Sequence, residues 1–403
     1  MPSYNARHFG AGRPVGRGFE RRRPSSRSNS KNKGNRQFID PNKFIQAAKP
    51  VTEDVFTPEH AFSDFAMNPL LHRNIAAKGF TAPSRIQDAA IPHGLTGRDV
   101  VGIANTGTGK TTAFALPVLH KLMQEPNSRA LIIAPTRELA EQIEAEVRSL
   151  AKGSGLFGAL LIGGMPMPRQ LRELSARPGI IIGTPGRIKD HFERGTLRLA
   201  DVNVIVLDEV DRMVDMGFIN DIRFLLGELN PERQSLFFSA TMDPNVEGLV
   251  QGFLHEPVMI SVRTSATSEN VEQNVVRYFD NVHKMDQLHD VLNRSDVSKA
   301  LIFDETQRNV EKLAQELLER GFRTDALHGG KSQSQRTSAL KRFKNGDVNV
   351  LVATDVAARG IDVADITHVI NYSLPNNYDD YTHRIGRAGR AGRQGYALTF
   401  IKG

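Results

Sequence analysis

Asp99-Val-Val-Gly-Ile-Ala-Asn-Thr-Gly-Thr-Gly-Lys-Thr-Thr112 is the stretch that decides the fold. An apolar strand over 99–103 runs into a glycine-spaced loop ending in Gly109-Lys110-Thr111, and a helical pattern opens at Thr112. Strand, loop and helix in that order make a phosphate-binding loop. Backbone N–H groups and the positive end of the helix dipole would wrap the phosphates. Lys110 would reach the β/γ-phosphates, and the Thr111 hydroxyl would sit on Mg²⁺. Ala104 stands at the first position of the usual G-x-x-x-x-G-K-[ST] pattern, which narrows the subclass. The competing reading is a glycine-rich turn without a ligand. It is disfavoured because every part falls where the phosphate-binding mechanics need it.

Outward from this loop, apolar runs at 130–134, 179–183, 203–207 and 235–238 alternate with amphipathic stretches such as 138–150. Alternating strands and helices imply an α/β fold with a parallel sheet and helices on both faces, phosphates binding beyond the carboxyl ends of the strands. The pattern starts near Ala61 and lapses into a polar Ser/Thr stretch around 261–270. A second alternating series follows, with strands at 275–279, 300–303, 348–353, 367–371 and 396–401 and a helix at 308–320. The expected organisation is a basic tail over 1–50, a nucleotide-binding domain over 51–262, a linker over 263–272 and a second domain over 273–403. Two lobes sharing one phosphate loop imply a cleft in which the second completes the site of the first.

The chain has 403 residues, room for two domains of ordinary size and a disordered segment. It contains no cysteine, which excludes disulfides, thiolate metal sites and a catalytic thiol. No apolar run approaches the roughly 20 residues that span a bilayer, and no secretory apolar core opens the chain, so a soluble, cytoplasmic protein is expected. The net charge of +7 is unevenly placed: residues 1–50 carry 12 basic and 2 acidic side chains, leaving 40 against 43 elsewhere. The tail, rich in Arg, Gly, Ser, Asn and Pro, is expected to be disordered. It reads as an electrostatic nucleic-acid arm with Phe9 and Phe19 available for stacking, or as a solvated solubility tail. An organelle transit peptide is disfavoured by its scattered Gly and Pro. A short helix-like patch at 41–48 is expected to link tail and body.

Two further stretches carry chemistry. Asn203-Val-Ile-Val-Leu-Asp208-Glu209 is an apolar strand delivering two carboxylates at its carboxyl end. Asp208 would hold Mg²⁺, and Glu209 would orient or deprotonate the attacking water. His383-Arg-Ile-Gly-Arg-Ala-Gly-Arg-Ala-Gly-Arg393 packs four arginines among glycines. Facing a phosphate loop across a cleft, such a cluster reads as arginine fingers on the transferring phosphoryl group. The histidines show no clustered spacing for a further metal.

These residues resemble a family. From about Phe62 to Ile401 the chain is similar to the DEAD-box RNA helicases of superfamily 2, with eleven motifs in order. Pro83-Ser-Arg-Ile-Gln87, with Phe80 and Phe62, looks like the Q motif. Motif I is Ala104–Thr111, motif Ia Pro135-Thr-Arg-Glu-Leu139, then Gly163-Gly164, and motif Ib Thr184-Pro-Gly-Arg187. Motifs II and III are Asp208-Glu-Val-Asp211 and Ser239-Ala-Thr241. Motif IV is Leu301-Ile-Phe303, the Q-x-x-R element Gln333-Ser-Gln-Arg336, motif V Val352–Asp362 and motif VI His383–Arg390.

The resemblance implies two tandem RecA-like domains and an RNA-stimulated ATPase that unwinds or remodels short RNA duplexes or RNA–protein complexes by lobe closure. ATP with Mg²⁺ would be held by Phe62, Phe80, Gln87, Ala104, Asn105, Thr106, Gly107, Thr108, Gly109, Lys110, Thr111, Thr112, Gly360 and Asp362. Thr111 and Asp208 would take the metal, with Lys110, Asp208, Glu209, Arg387 and Arg390 catalytic. RNA backbone would fall on Pro135, Arg137, Gly164, Thr184, Arg187, Gln333, Arg336, Thr354 and Arg359, with little sequence selectivity. Asp211, Ser239, Thr241 and His383 would couple the nucleotide to closure. Asn105 and Thr108 replace the more usual Gln and Ser of motif I, and Val210 replaces the alanine that names the family. Many relatives carry a C-terminal extension that targets a particular RNA, and the N-terminal tail is the only obvious substitute expected here. A DNA helicase is disfavoured by the Phe80/Gln87 adenine reader. An RNA chaperone or clamp driven by the tail, with incidental ATPase activity, is the alternative from another class.

Overall fold

Strands with continuous apolar sequence build the interior of two parallel sheets. The computed structural model describes residues 39–48, 56–105, 107–262, 270–358, 363, 365–389 and 393–403. Lobe 1 has seven strands: β1 (Val100–Ala104), β2 (Ala130–Ile133), β3 (Gly158–Leu161), β4 (Ile180–Gly183), β5 (Val204–Asp208), β6 (Gln234–Ser239) and β7 (Val258–Val262). Their spatial order is β3-β4-β2-β5-β6-β1-β7. Lobe 2 has six: β8 (Val271–Tyr278), β9 (Ala300–Phe303), β10 (Thr324–Leu327), β11 (Val350–Ala353), β12 (His368–Asn371) and β13 (Gly395–Lys402). Their order is β10-β11-β9-β12-β13-β8. Neighbouring strands in both sheets run parallel, as the alternating pattern predicts.

Side chains leave a strand on alternate faces, so an unbroken apolar run serves two cores at once. Along β5, Val204 and Val206 join a cluster with Phe114 and Ile143, while Ile205 and Leu207 join another with Ile222 and Leu225. Lobe 2 repeats the scheme: Leu301 and Phe303 of β9 face one cluster, Ala300 and Ile302 the other. Helices on both faces cover the sheets, and the strands' carboxyl ends are left for the site loops. Among the described residues no helix is long and apolar enough to cross a membrane.

The interior strands lie within two residues of their expected positions. The four edges do not. β3, β7 and β10 are absent from the expected set, and β8 begins at Val271, four residues before the expected 275. β3 (Gly158-Ala-Leu-Leu161) and β7 (Val258-Met-Ile-Ser-Val262) are short apolar runs that the sequence reading passed over, whereas Thr324-Asp-Ala-Leu327 of β10 mixes polar and apolar residues. The early start of β8 also removes the last two residues of the expected linker, 263–272. Its residues 263–269 lie outside the described residues. The phosphate-loop helix opens at Lys110, two residues earlier than expected.

The second correction concerns the expected tail. Residues 1–38 lie outside the described residues, but 39–48 are ordered on lobe 2, although lobe 1 follows them in sequence. A single 3₁₀ turn, Pro41–Phe44, capped by the Asp40 side chain, replaces the expected helix-like patch. It delivers Phe44, 1% exposed, into the lobe 2 core with its ring 4.7 Å from that of Tyr381. Gln46 then pairs antiparallel with Gln273 of β8 through two backbone hydrogen bonds of 3.0 and 2.8 Å. The bridge satisfies backbone groups that the β8 edge would leave open. Composition argues for disorder over 1–50, and one buried phenylalanine overrides it locally. Replacing Phe44 with alanine should destabilise lobe 2 by about 3 kcal/mol, the usual order for emptying a buried aromatic site. Urea unfolding of the purified variant reads this directly.

Candidate active site and nucleic-acid interface

The phosphate loop joins β1 to helix Lys110–Gln124, whose N-cap is Gly109 at φ +94°. That left-handed conformation suits glycine, and no side chain caps the helix, which leaves its first N–H groups available to an anion. Gly109 is also crowded: a Cβ there would lie 2.5 Å from Gln87 Nε2. Gln87 donates to the Gly109 carbonyl (3.1 Å) and accepts from the Ser84 amide (3.0 Å). Ser84 Oγ donates to the Thr108 carbonyl (2.7 Å). The Q-motif helix Arg85–Leu95 is therefore bolted to the phosphate loop, and the Gln87 amide has partners on both sides. Phe80 is exposed at the rim, whereas Phe62 is buried and supports it in a stacked pair, centroids 6.4 Å apart. Thr112 is buried with its hydroxyl 3.3 Å from Glu146, so toward a nucleotide it offers its backbone. Thr106 lies outside the described residues.

Lys110 is 5% exposed, and among the described residues its Nζ has no hydrogen-bond partner. A buried ammonium without an acceptor is costly, and an anion at the uncapped helix end would relieve it. At the end of β5, burial pushes the Asp208 carboxyl up to about 6 against the pull of the Lys110 ammonium, with Glu209 and Asp211 adding to the rise. A cation beside Asp208 would reverse that shift. Orphaned lysine, uncapped amides and a carboxylate short of positive charge together fit a nucleotide phosphate with Mg²⁺. Among the described residues no group of three or more His, Cys, Asp or Glu side chains is arranged to hold a metal ion.

Glu209 sits at φ +54°, ψ 55°, a conformation unusual for a non-glycine residue and characteristic of functional sites. Its carboxylate is buried against Arg212 Nη1 (2.9 Å), a partner the sequence reading lacked. Asp211 spends one oxygen on the Ala240 amide (3.1 Å), the Thr241 amide (3.0 Å) and the Thr241 hydroxyl (3.3 Å). Its own amide donates to Ser239 Oγ (3.2 Å). Asp211, Ser239 and Thr241 thus form one polar unit between β5 and β6. Val210 is fully buried in an apolar cluster with Met213, which accommodates its extra methyl groups.

In lobe 2, helix Tyr378–Ile385 carries His383 and Arg384. Arg384 is clamped by Asp355 through two bonds of 2.5 and 2.7 Å and donates also to the Ser373 carbonyl (2.8 Å). The first arginine of the cluster is therefore an internal brace. Arg387, 3% exposed, borders a small pocket with Asp355 and His383. Thr354 ends β11, its amide bonded to the Leu327 carbonyl (3.2 Å). Arg359, Gly360, Asp362 and Arg390 lie outside the described residues.

A cavity of about 580 Å³ takes its walls from both lobes. Pro135, Arg137, Thr184 and Arg187 line it from lobe 1 and Arg336 from lobe 2. Gly164, at φ +83°, lies beside it under the Arg137 guanidinium, which would stand 2.7 Å from a Cβ there. Burial, then the charges of Arg336 and Arg187, push the Arg137 pKa down. Gln333 and Arg336 also have partners in lobe 1. Arg336 Nη2 meets Glu138 Oε1 at 2.9 Å, and Gln333 Nε2 lies 3.3 Å from Glu138 and 3.2 Å from Glu141. Thr337 adds a bond to Glu141 (3.2 Å). Glu138 and Glu141 are the interface residues the sequence reading missed. Their position inside the motif Ia helix, Arg137–Leu150, was the available signal.

Comparison with known proteins bears on the whole chain. Residues 84–249 match the DEAD/DEAH box helicase family and residues 283–392 the helicase conserved C-terminal domain. The chain is 43% identical over 343 residues to the ATP-dependent RNA helicase CshA of Listeria monocytogenes, covering 85% of this chain and 66% of that protein. It thus spans just under two thirds of the length of that relative. Among solved structures it is similar to a DEAD box protein from Methanococcus jannaschii, at 37% identity and TM-score 0.50, covering 85% of this chain and 93% of the other. Saccharomyces cerevisiae Dbp5 bound to RNA and ADP BeF3 aligns at 29% identity and TM-score 0.73, covering 85% and 90%. The two sheets are the tandem RecA-like arrangement of these proteins, and the chain belongs to the DEAD-box helicase family.

Proposed function

We propose that this chain is an ATP-dependent RNA helicase, hydrolysing ATP to unwind or remodel short RNA duplexes or RNA–protein complexes by closure of its two lobes. The observation that carries this reading is the cavity lined by arginines of both lobes, in a chain whose first lobe also holds a phosphate cradle. RNA backbone occupying that cavity bridges lobe 2 to lobe 1, and family relatives bound to RNA and nucleotide share the architecture. Contacts to phosphate and sugar make binding weakly selective and sensitive to salt. A cytoplasmic setting, where ATP and RNA are both present, is part of the proposal.

The residues divide the work. Lys110 and the amides of the Lys110–Gln124 helix end hold the phosphates, and Phe80 with Gln87 borders the adenine. Thr111 and Asp208 would hold Mg²⁺, which would supply positive charge to the phosphates. Glu209, fixed by Arg212, orients the water and accepts its proton, while Arg387 and Arg390 bring charge from lobe 2. Asp211, Ser239 and Thr241 tie the short helix that follows Glu209 to the end of β6 within lobe 1, and coupling of this unit to lobe closure is part of the proposal.

Steady-state ATP turnover with and without single-stranded RNA tests the reading. RNA should stimulate turnover strongly, and Lys110→Ala should abolish it. Turnover indifferent to RNA would refute the proposal and favour a tail-driven RNA-binding protein. Glu209→Gln should slow hydrolysis by about 100-fold or more while ATP still binds, as expected when the general base is lost. Equal turnover in Glu209→Gln and wild type would remove Glu209 from the mechanism.

A further inference from the structure

Helix Met167–Ser175 has one buried side chain, and it is polar: Gln170, fully inaccessible. Helix Pro185–Glu193 buries His191 just as completely. The two meet, with Gln170 Oε1 3.4 Å from His191 Nε2. Gln170 Nε2 donates to the Ile162 carbonyl (3.3 Å) and the Met165 carbonyl (3.0 Å), the two sides of the Gly163-Gly164 turn. His191 Nδ1 lies 2.9 Å from the Thr196 hydroxyl.

These contacts determine hydrogen positions. Two carbonyl acceptors fix which way the Gln170 amide faces, so its oxygen is turned to His191. In the neutral ring that oxygen calls for the hydrogen on Nε2, and the Thr196 hydroxyl, 2.9 Å from both Nδ1 and the His191 carbonyl, has one hydrogen to share between them. Burial, with Arg187 adding to it, pushes the His191 pKa down, which keeps the ring neutral in that tautomer. No element of the nucleotide site uses this pair. Its reach is toward the cavity. The turn it pins supports the Arg137 guanidinium, and Arg187 Nη1 donates to the same Met165 carbonyl (3.4 Å).

We propose that Gln170 and His191 are positioning residues for RNA. They hold the 162–165 turn in register with the motif Ib helix and thereby aim Arg137 and Arg187 at the RNA backbone. Neither touches RNA. The proposal rests on the RNA reading of the cavity. Without the pair, the Ile162 and Met165 carbonyls lose their buried donor, the turn relaxes and two guanidiniums lose their common support.

The test uses the full chain and four proteins: wild type, Gln170→Ala, His191→Phe and His191→Gln. ATP turnover is titrated with single-stranded oligouridylate, and amide hydrogen exchange is followed at residues 163–166. Gln170→Ala and His191→Phe should raise the KM for RNA roughly tenfold, the order carried by a lost buried hydrogen-bond partner. The KM for ATP and the RNA-saturated rate should stay within about twofold, and exchange at the turn should quicken. His191→Gln, which restores a donor at the Nε2 position, should recover the RNA KM. A merely structural role would move the ATP and RNA constants together, or leave His191→Gln as impaired as His191→Phe, and either result overturns the proposal. If wild type shows no RNA stimulation, the RNA reading itself fails. Exchange then decides the pinning alone, and unchanged exchange refutes it.

Discussion

Among the described residues the buried Lys110 ammonium has no hydrogen-bond acceptor, a costly arrangement, and the surrounding structure makes sense as a response to it. Gly109 in a left-handed conformation leaves the helix end uncapped beside the lysine. Gln87 and Ser84 hold the loop open by bonding its carbonyls at Gly109 and Thr108, so it cannot collapse onto the charge. Asp208 is drawn to the lysine yet remains displaced toward its protonated form by burial. A protein that binds nothing here would gain by mutating the lysine away. One that binds a polyphosphate with a divalent cation recovers the cost as affinity, since the anion meets the ammonium and the cation meets the carboxylate.

That cradle is legible in sequence because it is local. Its geometry depends on the order strand, glycine loop, helix within fourteen residues, and each part has a backbone reason to be where it is. The central strands are legible for a similar reason: Val204-Ile-Val-Leu207 must be apolar on both faces to lie between two helical layers. Thr324-Asp-Ala-Leu327 has no such obligation at the sheet margin, and it becomes a strand only because β11 offers it a ladder. Likewise Phe44 lies in a stretch whose composition argues for disorder. Nothing nearby in sequence shows that Tyr381, more than 300 residues away, completes its pocket.

The partners of charged side chains were the least legible part of the site. Arg384 reads in sequence like its neighbours at 387 and 390, yet Asp355 and the Ser373 carbonyl consume its guanidinium. Glu209 reads as a free acid until Arg212, one helical turn later, closes on it. Gln170 and His191 carry no motif of their own and look like ordinary polar residues on amphipathic helices. Pairing is a tertiary property. The charge pattern limits the candidates, and only packing selects among them.

The contact between lobes gives the cavity its electrostatic logic. Glu138 draws Arg336 of lobe 2 to within 2.9 Å, but this places a third guanidinium beside Arg137 and Arg187. Burial pushes the Glu141 carboxyl up, while its bonds from Gln333 and Thr337 pull the other way, and Asp190 pairs with Arg187 at 3.7 Å. The junction thus gathers three guanidiniums around one cavity, a geometry that suits the phosphates of a polyanion. In the proposed reading this couples the two events in both directions: RNA backbone lowers the cost of bringing Arg336 to lobe 1, and closure raises the affinity of the cavity for RNA by the same factor. The Gly163-Gly164 turn sits at the centre of that exchange. It touches Arg137 on one side and approaches Gln333 on the other, its Gly164 position lying 3.6 Å from the Gln333 Cβ when a Cβ is placed there. A turn that must accept a guanidinium, the facing lobe and a phosphate within one small volume tolerates little play, which is why two buried polar side chains are committed to holding it still.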